Sequence, residues 1–215
     1  MKNKKFWVLF SLFILPLVFY ILLLTGTNNF GKLPVLTENI SNVKHFSSDE
    51  NAQISLEDKI TILSFLGDDL ELTKNNALNL NEKIYKRFHK FRDFQFVIVL
   101  PKGTEEQSKK LKKKIEFATD MSKFKFVYGD TNQIKSLFNS LKTTYSIEDN
   151  GYSPYAFIID RDMHLRGREE DDDTKGILYG YNAETVAPIH NKMVDDVKVL
   201  VAEYRLALKK NKRQI

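Results

Sequence analysis

The 215-residue sequence contains no cysteine. Thiol–disulfide exchange, thiolate nucleophiles and thiolate ligation of copper, zinc or iron–sulfur clusters all need a sulfur that this chain does not supply. Those chemistries are excluded, as is lipoprotein-type processing at a cysteine. Tryptophan (one), proline (five) and histidine (four) are also scarce. No Ser-His-Asp spacing, phosphate-cradling glycine loop or HExxH pattern is present. Charge of one sign is in short supply too: the formal net charge is +5, and Lys2, Lys4 and Lys5 carry three of those positives ahead of the first apolar run. The remaining +2 leaves no general nucleic-acid footprint.

What is present is an ordinary globular mixture, 42% hydrophobic and 28% charged with 16 phenylalanines, in a length that suits one domain and a short appendage. The appendage comes first. MKNKK is followed by FWVLFSLFILPLVFYILLL, residues 6–24, which carry no charge. As a helix this run reaches about 28 Å, close to the hydrocarbon thickness of a bilayer. Pro16 would kink it, which helices in lipid tolerate. A cleavable signal peptide is the competing reading. The run exceeds the usual signal core, however, and TGTNNFGK offers no small-x-small cleavage site, which favours a retained single-pass anchor. The positive-inside rule then leaves residues 1–5 in the cytoplasm of a bacterial cell and places residues 25–215 on the periplasmic side of its cytoplasmic (inner) membrane.

Residues 25–53 read as a tether leading into short-strand structure around Leu33 to Phe46, and residues 54–210 as the folded domain, ahead of a basic tail at 211–215. KITILSFLG is the first strong strand. After it, Leu80, Ile84, Phe88 and Phe91 share a helical face. FQFVIVLP is a run typical of a strand covered on both sides. GTEEQSKKLKKKIEFA has the charge order of a helix, with Thr104 as its N-cap. FKFVYGD, a helix capped by Asp130, and YAFIID follow. The turn Asp160–Arg161–Asp162 requires MHLRGR to pair antiparallel with YAFIID. A last helix starts near Asn182 and carries Met193, Val197, Leu200, Val201, Tyr204 and Leu208 as its apolar stripe. The class is α/β, with a central mixed sheet and helices on both faces, a thioredoxin-like order.

LPVL, ISLEDKITILSFLG, YGDTNQIKSLFNSL, YSPYAFIIDRDMHLRG and VDDVKVLVAEY, in that order, resemble the SCO/SenC proteins, membrane-anchored thioredoxin-like copper proteins associated with building cytochrome c oxidase. The resemblance implies copper ligands from a CPxxxC-type segment and from a histidine eight residues before the Asp that ends the hairpin's first strand. Here those positions fall at or beside Leu70 and Lys74, and at Tyr152. None can replace a soft thiolate or an imidazole. The resemblance therefore implies a redox-inactive member without a cofactor, acting on a membrane or periplasmic protein, with respiratory oxidase assembly components as the candidate partners.

Several residues remain as candidate site groups. Asp68 and Asp69, helped by Glu71, form a hard-oxygen metal site or an N-terminal helix cap, the cap being favoured. His164 is the remaining metal-ligand candidate, and Asp68, Asp69 and His164 together are the alternative, enzymatic or metal-binding, reading. Ser153-Pro154 stands where thioredoxin-like proteins place a cis-proline, so that Gly67, Asp68, Asp69, Ser153 and Pro154 would line a partner groove; a trans proline opening an ordinary strand is equally compatible with the sequence. The five carboxylates of residues 169–173 read as a solvated, mobile loop.

Overall fold

The computed structural model describes residues 2–25, 31–49, 53–116 and 120–212, and its contacts divide it into two compact units, Met1–Gly31 and Lys32–Ile215. The first unit is one helix, α1 (Lys2–Thr25), with Pro16 inside it. Its stretch Lys4–Leu22 is long and apolar enough to cross a membrane, with a mean hydropathy of 2.2.

In the second unit the strands are β1 (Val35–Thr37), β2 (Ser47–Ser48), β3 (Ile60–Leu66), β4 (Phe94–Pro101), β5 (Phe124–Gly129), β6 (Tyr152–Ile159), β7 (Leu165–Arg166), β8 (Arg168–Asp171), β9 (Gly176–Leu178) and β10 (Tyr181–Asn182). The main sheet runs β1-β7-β6-β3-β4-β5-β2, with β10 also on β6. β3, β4 and β5 are parallel, and β6 is antiparallel to β3. Val35–Thr37 and Ser47–Ser48, part of the segment read as an extension, are thus built into the sheet. β3 is buried along its whole length because helices cover both faces, which is why it reads as an unbroken apolar run.

Three helical segments lie over one face. The first is α2 (Leu70–Leu80), which passes through a π-turn (Asn81–Tyr85) into α3 (Lys86–Phe88). The second is α4 (Glu105–Glu116). The third is α6 (Val186–Pro188), which passes through a second π-turn (Ile189–Met193) into α7 (Val194–Lys212). The two π-turns pack against each other, burying Ile84, Ile189 and Met193 completely. The last helical run starts at Val186, four residues after Asn182, because Asn182 pairs with Tyr155 in the sheet. The other face is covered by α5 (Thr131–Ser140) and by Ile40, Val43, Ile54 and Leu56.

Alternation along the strands feeds two cores. Ile60, Ile62 and Leu66 face Ala77, Ile84 and Leu200 on one side, while Leu63 and Phe65 face Ile134 and Phe138 on the other. Asp130 caps α5 in a reciprocal capping box with Gln133. Thr104 behaves differently from its expected role: its hydroxyl donates to the Pro101 carbonyl (2.8 Å) rather than accepting from the first turn of α4.

Candidate functional site at the carboxyl end of β3

β3 ends in Gly67, whose φ of +69° and crowding both demand glycine: an added Cβ would lie 2.9 Å from the Cβ of Tyr152. The chain then turns into α2. Asp69 Oδ1 accepts from the backbone N–H of Glu71 (3.1 Å) and Leu72 (3.2 Å), an N-cap. Gln107 on α4 ties the same turn down, accepting from Leu70 N (3.0 Å) and donating to the Asp68 carbonyl (3.1 Å).

The three positions that the resemblance singled out, Leu70, Lys74 and Tyr152, have separate occupations. Leu70 is buried in the core. Lys74 donates to Glu71 (2.6 Å), which also accepts from Lys114 (2.8 Å). Hydrogen bonds from Lys114 and then Lys74 hold the Glu71 carboxyl at about 2. Tyr152 accepts from Asn76 Nδ2 (3.1 Å) and donates to Glu184 Oε1 (2.7 Å). Burial, followed by its bond to Glu184, pushes its phenol up to about 12, so it remains a neutral donor at any physiological pH. Asn79 completes the set by donating to the Ala183 carbonyl (3.0 Å), fastening α2 to the turn that carries Glu184. Asn76, Asn79 and Glu184 were not singled out from the sequence. The repeated asparagines of NNALNLN were the only available signal, since Glu184 arrives from a distant turn.

His164 does not join Asp68 and Asp69, and their joint metal site is corrected here. β6 is antiparallel to β3, with Leu66 opposite Tyr152 and Thr61 opposite Ile159. The turn after β6 therefore lies at the other end of the sheet, a strand length of about 17 Å away. There the ring of His164 faces Asp160 (3.7 Å). No group of three or more His, Asp or Glu side chains among the described residues has the geometry to hold a metal ion. The peptide before Pro154 is trans, as are all described peptides. Ser153 is fully buried, and the Pro154 carbonyl accepts from Ala183 N (2.8 Å), so this backbone is already engaged.

Of the acidic segment 169–173, Glu169, Glu170, Asp172 and Asp173 are exposed as expected, and the correction concerns Asp171 and the loop itself. The segment belongs to a two-stranded hairpin, β8–β9, and Asp171 is only 6% exposed. Burial raises the Asp171 carboxyl, but Lys192 (2.7 Å to each oxygen) and Thr174 outweigh it and hold the group below the usual carboxylate range. Arg168 from the same hairpin makes two bonds to Asp196 (2.8 and 3.0 Å), which also accepts from the Tyr181 hydroxyl (2.6 Å). Burial and the Asp196 charge push the Tyr181 phenol well up. Tyr181 thus packs over the sheet, while Tyr179 meets Tyr145 edge-on.

At the far end of the sheet, Arg166 is 5% exposed. It donates to Asp160 Oδ2 (2.9 Å), to Glu203 Oε2 (2.7 Å) and to the Leu33 carbonyl (2.8 Å).

This arrangement is a thioredoxin-like fold with hydrogen-bonded polar groups at the carboxyl end of β3. Its structural neighbours include Sco-family proteins and thioredoxin-like oxidoreductases. BsSco, described as a member of the Sco family of cytochrome c oxidase assembly proteins with a disulfide switch, superposes with a TM-score of 0.57 at 13% identity, over 80% of this chain and 98% of that one. A candidate protein disulfide isomerase from Bacteroides thetaiotaomicron gives 0.53 at 12% identity, over 80% and 95%. A candidate electron transfer protein from Aquifex aeolicus VF5 gives 0.51 at 15% identity, over 79% and 98%. No family model and no curated protein sequence matches the chain.

Proposed function

We propose that this chain is a membrane-tethered thioredoxin-fold protein that acts by binding another protein through the carboxyl end of β3, without thiol or metal chemistry. One observation carries this reading: the Tyr152 phenol beside Gly67 is held between Asn76 and Glu184, while Leu72, in the first turn of α2, stands 78% exposed beside exposed Asp68 and Asp69. In this reading the protruding leucine, flanked by two carboxylates, is a contact point for a partner rather than part of a reaction centre. The segment Lys4–Leu22 supports a single-pass anchor in the bacterial cytoplasmic membrane, with the folded unit on the periplasmic side. Oxidase assembly is the process favoured, from the resemblance to SCO/SenC proteins and the fold shared with BsSco.

A photo-crosslinking residue at Leu72, used in intact membranes, is expected to capture one discrete protein, and a crosslinker at exposed Asp58, ahead of the opposite end of β3, supplies the background. Capture of the same species from both positions, or of none, rejects the binding end. Normal oxidase activity in a deletion strain rejects the assembly role while leaving the binding reading intact.

A further inference from the structure

We infer that the groove between the end of α3 and the middle of α7 receives the headgroup of an anionic phospholipid, an inference that rests on the membrane reading above. The groove encloses about 290 Å³. Its rim carries Arg87, Lys90, Lys198 and Arg205, and its floor is Phe88, Phe91 and Val201, with no carboxylate in the lining.

Two features set it apart from an ordinary wet helix face. The first is charge. On the same helical layer Lys74, Lys86, Lys109 and Lys114 are each matched to a glutamate, and on the rim Lys198 is matched to Asp195. Among the described residues Lys90 makes no ion pair, Arg87 shares the field of Asp195 with Lys198, and Arg205 lies 5.5 Å over the Phe91 ring. Four rim cations thus meet the single carboxylate of Asp195 in a chain whose charge is otherwise nearly balanced. The second is the apolar floor. A free phosphate would use only the rim, whereas a phospholipid fills both parts, its phosphate among the cations and its glycerol and first methylenes on Phe88 and Phe91.

The location favours lipid over an acidic peptide. The same stretch of α7 supplies Glu203, the partner of Arg166, which holds the Leu33 carbonyl where the chain from the apolar helix enters the domain. A short tether raises the effective concentration of whatever surrounds its anchored end, and around an apolar span that is lipid.

The absence of cysteine makes a clean test possible. The full chain carrying Ala202→Cys is labelled with an environment-sensitive fluorophore and placed in nanodiscs of phosphatidylcholine alone or mixed with phosphatidylglycerol. A blue shift is expected only in the anionic discs, reversed by high salt. Arg87→Gln with Lys90→Gln should weaken it about twenty-fold, at roughly fivefold per cation removed. The same label at Asn150→Cys should report no shift. Equal spectra in the two disc types, an equal shift at position 150, or a shift unmoved by the double variant overturns the inference. So does a soluble polyglutamate or inorganic phosphate that shifts the probe as strongly in neutral discs. Co-elution of the chain with both disc types checks the anchor separately. If it fails, the anchored reading falls, and the groove is judged by the same probe with vesicles of the two compositions.

Discussion

Replacing Arg166 with methionine keeps most of the side-chain volume and removes the charge from the interior. Three hydrogen bonds go with it, to Asp160, Glu203 and the Leu33 carbonyl. The consequences for the partners differ. Glu203 is partly exposed and can turn to water, but Asp160 is 1% exposed and becomes a buried carboxylate that has lost its guanidinium partner. Breaking a buried pair from one side costs about 3–5 kcal/mol. The backbone N–H groups of Asp162 and His164 continue to donate to Asp160 Oδ1 (2.9 Å each), which places the expected cost near the lower figure. At roughly 2–4 °C per kcal/mol for a domain of this size, Tm should fall by about 6–12 °C. Thermal unfolding of the full chain in mild detergent, followed by near-ultraviolet circular dichroism, reads this directly. Adding Asp160→Asn removes the orphaned charge and should recover part of the loss. A fall below about 1 kcal/mol for the single variant, or a double variant no better than the single, would refute the account of a charge-satisfied interior.

Tyr152→Phe should cost about 1–2 kcal/mol, because Asn76, itself buried, loses its acceptor while Glu184 regains water; urea unfolding measures it, and a neutral result contradicts the bridging role of the phenol. Asp69→Ala should cost about 1 kcal/mol and raise hydrogen exchange in the first turn of α2, with Asp68→Ala near neutral, since only Asp69 caps. The β8–β9 hairpin should loosen at both pH extremes. The Asp171 carboxyl is depressed, so its contribution is complete above the ordinary aspartate range and lost as pH falls through its lowered pKa. For Lys192, burial lowers the amine but Asp171 and Asp173 raise it further, so its contribution is complete below the ordinary lysine value and lost as pH rises through the raised one. Amide exchange of residues 168–178 against pH checks this, and a profile unchanged by Lys192→Met would contradict it.

Elements whose cause is local were legible in the sequence. β3 and β4 announce themselves by unbroken apolar runs, and Asp69 and Asp130 cap because a short carboxylate before an apolar-periodic segment has free N–H groups within reach. Features that depend on distant chain segments were not. Within residues 169–173, Asp171 reads as wet like its exposed neighbours because Lys192 and the Arg168–Asp196 contact come from the packing of a helix far along the chain. Thr104 sits at the right position for a cap, yet the preceding turn offers its hydroxyl the Pro101 carbonyl first. Of the candidate site, Gly67 and Tyr152 were visible as positions. Their mutual contact, and the separation of His164 from Asp68, follow from the antiparallel placement of β6 beside β3, which local pattern does not encode.

The paired π-turns let the chain carry an extra residue without turning the helix that follows. An α-helical residue advances about 100° around its axis, and a π-turn accommodates one extra residue without passing that rotation on. Removing a single residue from Asn81–Tyr85 would therefore restore a plain α-helical turn and keep Phe88 on the face that lies 6.0 Å from Phe94, whereas the same deletion early in α7 would swing the rest of that helix by about that angle. The opposing turn at Ile189–Met193 was fitted to the wider bend and would lose its mate. Single-residue deletions in these two stretches should consequently loosen their mutual packing while leaving the helical faces beyond them in register.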